Sequence, residues 1–207
     1  MNHLAISSGQ KHPSFQWTGI LIFLFLTFSS YSQDLKSLLR KAITTPDSSD
    51  YYFGEGKKLI SKPEDQAEYD FAKNVFHTNS GNLDSCIYFG ERAFYFFEEK
   101  NDLLKQVYIL HYMGVAYRTA GQYEEAINRL FQAIPISQKL GDLTWQGWVL
   151  QGISLNYHDF GGYQKGVSFG KRALEVLNKN LEKDPMSVAI ALNTLAINYD
   201  DWGKYDS

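Results

Sequence analysis

The chain has a single cysteine, Cys86, in 207 residues, which excludes an internal disulfide framework and a multi-cysteine zinc site. Proline is scarce, 5 residues in all, about half of the usual ~5% share, and this favours helix over loop-rich or all-β folds. Charge of one sign is lacking too. A net charge of −3 leaves no basic surplus, so nucleic acid is not an expected partner of this region. Of five histidines, none stands in an HExxH or paired i, i+4 arrangement, so no metal is expected. No G-x-S-x-G elbow or phosphate-cradling loop occurs. Gly54-Glu55-Gly56-Lys57 has the wrong spacing for one and lies inside a helical pattern. The expectation is a chain with no catalytic residues and no cofactor.

Long apolar runs are confined to one place. Residues Thr18 to Phe28 read TGILIFLFLTF, followed by Ser29-Ser30-Tyr31-Ser32-Gln33. An uncharged core of this length before small residues has the form of a cleavable export signal. A bilayer span needs ~20 apolar residues, more than this run supplies. Ser30 and Ser32 occupy the small-residue positions, so the cut is placed after Ser32 and the mature chain begins at Gln33. The rival reading is an uncleaved anchor flanked by Trp17 and Tyr31. Either way an extracytoplasmic, periplasm-facing location is expected, with the membrane reached only through this segment or one beyond Ser207.

What is present in quantity is self-similarity. Gly81, Gly121 and Gly161 are spaced by 40, as are Ala93, Ala133 and Ala173. AYRTAGQYEEAI from Ala116 is echoed by NYHDFGGYQKGV from Asn156 and NYDDWGKYDS from Asn198. A fixed period in this range denotes stacked structural repeats. Within each unit the pattern is of two helices. Leu110, Met113, Gly114 and Tyr117 share one face of the first; Tyr123, Ala126, Leu130 and Ala133 share one face of the second. Leu150, Ile153, Ser154 and Tyr157 repeat the first stripe, and so do Leu192, Leu195, Ala196 and Tyr199. Gly121 sits where a left-handed residue ends the first helix. Pro46, Pro63 and Pro185 fall between helices, whereas Pro135 is expected to kink or end the second helix of its unit.

These residues resemble the tetratricopeptide repeat: apolar–x2–L–G–x2–Y, then G–x–Y–x2–A, then a further alanine. The period of 40 instead of 34 makes this a long variant. The resemblance implies an all-α, right-handed superhelix, an α-solenoid of antiparallel helix pairs. Its units are expected at 67–106, 107–146, 147–188 and a truncated 189–207, after a degenerate helical pair at 33–66 and the signal at 1–32. The first helix of unit one departs from the pattern, with Asp70, Lys73 and His77 at apolar or tyrosine positions; His77 and Cys86 are read as packing. Because Ser207 falls at the opening of a second helix, the native chain is expected to continue.

Such arrays present a concave surface built from the first helices. Its expected partner-binding residues are Tyr108, His111 and Arg118 in unit two, Trp148, Gln151 and His158 in unit three, and Asn193 and Asp200 in unit four. Val115, Leu155, Ile190 and Ile197 lie between them. The mix suits a docked protein or peptide. The lysine–asparagine clamp that some family members use for a C-terminal carboxylate is missing, since His111, Val115 and Thr119, or Gln151, Leu155 and Asp159, stand there. Trp145, Trp148 and Trp202 are candidate anchors. Arg118-Thr119, His158-Asp159 and Asp200-Asp201 form either a selective rim or solvated helix ends. The resemblance extends to the sensory front half of bacterial membrane-anchored signalling proteins, with a free envelope adaptor as the alternative.

Overall fold

The structure, a computed structural model, describes residues 34–203, so the expected signal and Tyr205 lie outside the described residues. Within them there are nine α-helices and no strand. Helix α1 covers 34–44, and a 3-10 turn at Pro46–Ser48 leads into α2 (Ser49–Lys58). Three helix pairs follow: α3 (Pro63–Asn79) with α4 (Leu83–Glu99), α5 (Leu103–Thr119) with α6 (Tyr123–Leu140), and α7 (Leu143–Asp159) with α8 (Tyr163–Asn178). Helix α9 (Pro185–Trp202) opens a fourth unit. The chain is an all-α solenoid.

The local causes recur with the period. Asp102, Asp142 and Asp184 each accept a hydrogen bond from the backbone N–H three residues on, capping α5, α7 and α9. Gly81, Gly121 and Gly161 hold φ of +71°, +75° and +80° in the turn after each first helix, where a Cβ would be strained.

Small residues set the closest approaches. Asn74 donates to the Cys86 carbonyl across α3 and α4, and 80 residues later Ser154 donates to the Gly166 carbonyl across α7 and α8. In the unit between, Gly114 and Ala126 need no such bond; a Cβ on Gly114 would lie 3.4 Å from the Ala126 carbonyl oxygen. Leu130 fills the space left by two glycines, Gly114 of its own unit and Gly152 of the next, and so belongs to α5, α6 and α7 together.

The polar residues of α3 do not prevent it from packing. Asp70 is buried, accepting from Gln66 at 2.8 Å and paired with Arg92 at 3.1 Å. Burial raises its pKa, while the Gln66 bond and the Arg92 charge pull the other way. The Lys73 ammonium sits 3.9 Å over the Phe53 ring, and His77 stacks on Phe89. Cys86 is fully buried between Asn74 and Thr78, and burial pushes its thiol pKa up.

Of the two outcomes expected at Pro135, an end to the helix is not found: α6 runs on to Leu140. Pro135 is exposed, so the missing backbone donor falls on the water side, where the unpaired carbonyl can be hydrated. The unit-four stripe keeps the register of the earlier units but is covered on one side only. Leu192 is 50% exposed and Ala196 is exposed, while Val188, Ala191, Thr194 and Asn198 are buried. Among the described residues no second helix covers the Leu192 side, so α9 buries only what faces α7 and α8.

Candidate functional site

Each first helix packs directly on the next, α3 on α5, α5 on α7 and α7 on α9. The backbones of successive second helices stand further apart, bridged by long side chains such as Arg129 to Glu91 and Phe131 to Phe169. Closer spacing on one side curves the stack, and the first helices line its inner wall.

An aromatic ribbon crosses that wall. Tyr108 lies 6.1 Å from Phe71 and 4.1 Å from Trp145, and Trp145 lies 5.3 Å from Trp148, ring centre to ring centre. Tyr108, Trp145 and Trp148 are all half-buried. The Trp148 indole donates to the Ser187 hydroxyl at 2.7 Å, which fixes its ring against α9. His111 meets Trp145 edge-on at 5.5 Å. His111 is half-buried, and its Nδ1 is enclosed and has no hydrogen-bond partner. Burial, with a smaller contribution from the Arg118 charge, pushes its pKa down to about 4.

The structure separates the expected binding residues into four groups, the last of them Arg118 and His158 at the helix ends. Tyr108, His111 and Trp148 belong to the ribbon. Gln151 is buried and spends its amide on Thr194 at 2.9 Å, tying α7 to α9. Asn193 and Asp200 are exposed on α9, as are Ile190 and Ile197. Val115 and Leu155 are half-buried, two turns beyond Tyr108 and Trp148 on the same helix faces. Trp202 stands apart from the ribbon, against Tyr199.

Arg118 and His158 join a chain of charges across three units. Arg118 pairs with Asp159 at 2.9 Å, His158 Nδ1 meets Asp159 at 2.9 Å, and His158 Nε2 meets Asp201 at 2.7 Å. The helix ends read from sequence as a rim or as solvated are therefore a clasp between α5, α7 and α9. The tie was hidden because Asp159 and Asp201 lie about 40 residues apart in sequence. Partial burial opposes charge on His158, but hydrogen bonds and Coulomb attraction from Asp159 and Asp201 outweigh it, and the pKa is raised.

The two histidines give opposite pH dependences. A raised folded pKa means that the His158 clasp stabilises fully below the free-histidine pKa of ~6.5 and is lost as pH rises through the folded value. His111 is the reverse, since its burial as the neutral ring is lost as pH falls from ~6.5 towards 4. In thermal melts from pH 5 to 8, below the range where the unfolded Cys86 thiol ionises, His158→Gln should flatten the decline above pH ~6.5 and leave the acid side unchanged. An unaltered alkaline slope would show that the clasp contributes nothing.

No group of His, Cys, Asp and Glu among the described residues is placed to hold a metal, and no described helix is long and apolar enough to cross a membrane.

No protein-family model and no curated protein matches the sequence. Solved structures do match in shape. The apo form of RapI superposes with a TM-score of 0.74 at 15% identity, covering 86% of this chain and 65% of its own. A Rap protein complexed with Competence and Sporulation Factor gives 0.65 at 13% identity, over 86% of this chain and 47% of its own. A putative kinesin light chain from Podosopora anserina with nearly identical TPR-like repeats gives 0.63 at 14% identity, over 86% and 89%. The chain has the TPR-like repeat fold. It spans less than two-thirds of either Rap chain.

Proposed function

We propose that this chain is a non-catalytic interaction scaffold that docks a protein or peptide segment along its concave wall. The observation that carries the reading is the half-buried ribbon of Tyr108, Trp145 and Trp148 on the inner face, continued by Val115 and Leu155. Aromatic rings held rigid by their neighbours offer contact area at little entropic cost. A TPR-like neighbour was solved with Competence and Sporulation Factor bound, which supports a recognition role for this architecture. The finer reading is the extracytoplasmic sensory region of a larger bacterial signalling protein. It rests on the apolar run at Thr18 to Phe28 and on the resemblance of an exported repeat array to such sensors. Chain recovered from the cell envelope should begin near Gln33; an intact Met1 there would favour the anchor.

Docking is tested by selecting peptides from a displayed random library on the purified chain. Selected peptides should bind Val115→Glu/Leu155→Glu at least about tenfold more weakly, a change of about 1.4 kcal/mol, with the helical circular dichroism preserved. The reading fails if no peptide is enriched, or if enriched peptides bind the variant as well as the parent.

A further inference from the structure

A pocket of 340 Å³ lies between α1, α3 and α5, and its lining includes Lys36, Arg40, Lys105, Glu68 and Phe71. Lys105 is held in place twice. Its ammonium pairs with Glu68 at 2.7 Å and stands 3.9 Å over the Phe71 ring. Lys36 and Arg40 project from α1 and are exposed. Three cations against one carboxylate leave two positive charges unmatched, in a chain whose net charge is −3. The rest of the lining is mostly aliphatic, with Leu39 and Ile43 beside Phe71. Phe71 is also the ring packed against Tyr108, so the pocket and the aromatic ribbon share a wall.

We propose that this pocket is an anionic subsite of the docking groove, taking the Asp or Glu side chain of a bound peptide whose adjoining apolar residues lie along Tyr108, Trp145 and Trp148. The inference rests on the docking reading above and adds the chemistry of the partner. A carboxylate suits the site because the Arg40 guanidinium presents a planar fork for its two oxygens, with the Lys36 and Lys105 ammonium groups as point charges beside it. Because Lys36 and Arg40 are exposed, each attraction for the carboxylate is modest and screened by salt, and the apolar walls of Leu39, Ile43 and Phe71 pack its methylene stem. Lys36 and Arg40 keep their exposure and carry no described ion pair, so a ligand need not break an existing contact to reach them.

The same library selection tests this. Enriched peptides should carry Asp or Glu within a few residues of aromatic or aliphatic side chains. Lys36→Glu/Arg40→Glu should weaken their binding by about tenfold or more. Raising salt from about 50 to 500 mM should weaken the parent complex and leave the variant's residual binding nearly unchanged. Lys36→Gln/Arg40→Gln, which adds no repulsion, should fall between the two, and both pairs are on the surface, where helical content is easily checked. Neutral or basic enriched peptides, or unchanged affinity in both variants, would overturn the subsite. Groove docking would survive that outcome if Val115→Glu/Leu155→Glu still lost binding. If no peptide is enriched, both readings fall together.

Discussion

Leu130→Ala is expected to lower the stability of the chain by about 3–5 kcal/mol, the upper part of the range for a buried leucine. Leu130 is 1% exposed, and its side chain occupies the space that side chains at Gly114 and Gly152 would have taken. Removing it leaves a void bounded by helix backbone on two sides. Backbones held by their own hydrogen bonds cannot collapse inward as side chains do, so little of the loss is recovered. The same leucine also packs among Val107, Leu110, Val149 and Ile153, joining units two and three. Since stability in repeat arrays is a sum of unit terms and nearest-neighbour interfaces, the variant should also unfold less cooperatively. Guanidinium denaturation followed by circular dichroism reads both effects. A loss below about 1 kcal/mol would mean that the glycine-lined niche closes by itself.

Gly147→Val is expected to cost about 3 kcal/mol by the opposite route, overpacking. A Cβ at Gly147 would lie 2.3 Å from Leu177 Cγ and 2.4 Å from Cδ2, and Leu177 is fully buried beside Val188 and Ala191. The repeat explains how this came about. Forty residues earlier the equivalent positions hold Val107 and Ser137, and forty before that Ala67 and Phe97, all buried. Each unit pairs a small residue on one helix with a larger one on the other, and the large partner changes sides between units two and three. Gly147→Val/Leu177→Ser recreates the unit-two pair, and Ser137 already satisfies its buried hydroxyl on the Ile134 carbonyl one turn back. The double variant should therefore recover much of the loss from Gly147→Val, a coupling of more than 1 kcal/mol in a double-mutant cycle. Strict additivity of the two changes would contradict the volume exchange.

That exchange marks how far the sequence could be read. The 40-residue recurrence of glycine, tyrosine and alanine was legible because those residues answer to the backbone: a left-handed turn at Gly121, a close helix approach at Gly114. Helix pairs and their turns follow from them. Which first-helix residues stay free on the inner wall was not legible. Gln151 and Trp148 sit at groove-like positions, yet each donates a hydrogen bond to α9, a partner about 40 residues away that helical spacing does not reveal. The clasp through His158 was invisible for the same reason. Leu192 is exposed where its counterparts Leu110 and Leu150 are buried, because among the described residues no second helix covers that side of α9. The cationic pocket went unseen because Lys36 and Arg40 precede the residues where the repeat register can be recognised, and only the packing of α1 beside α3 and α5 brings them to Lys105.

The indole N–H signals of the chain's tryptophans test the docking surface most directly. Trp145 and Trp148 form the ribbon, and Trp202 lies outside it. Titrating a selected acidic peptide into the labelled chain should shift the Trp145 and Trp148 signals together and leave Trp202 in place. Saturable binding that moves neither ribbon signal would place the partner elsewhere and contradict the account.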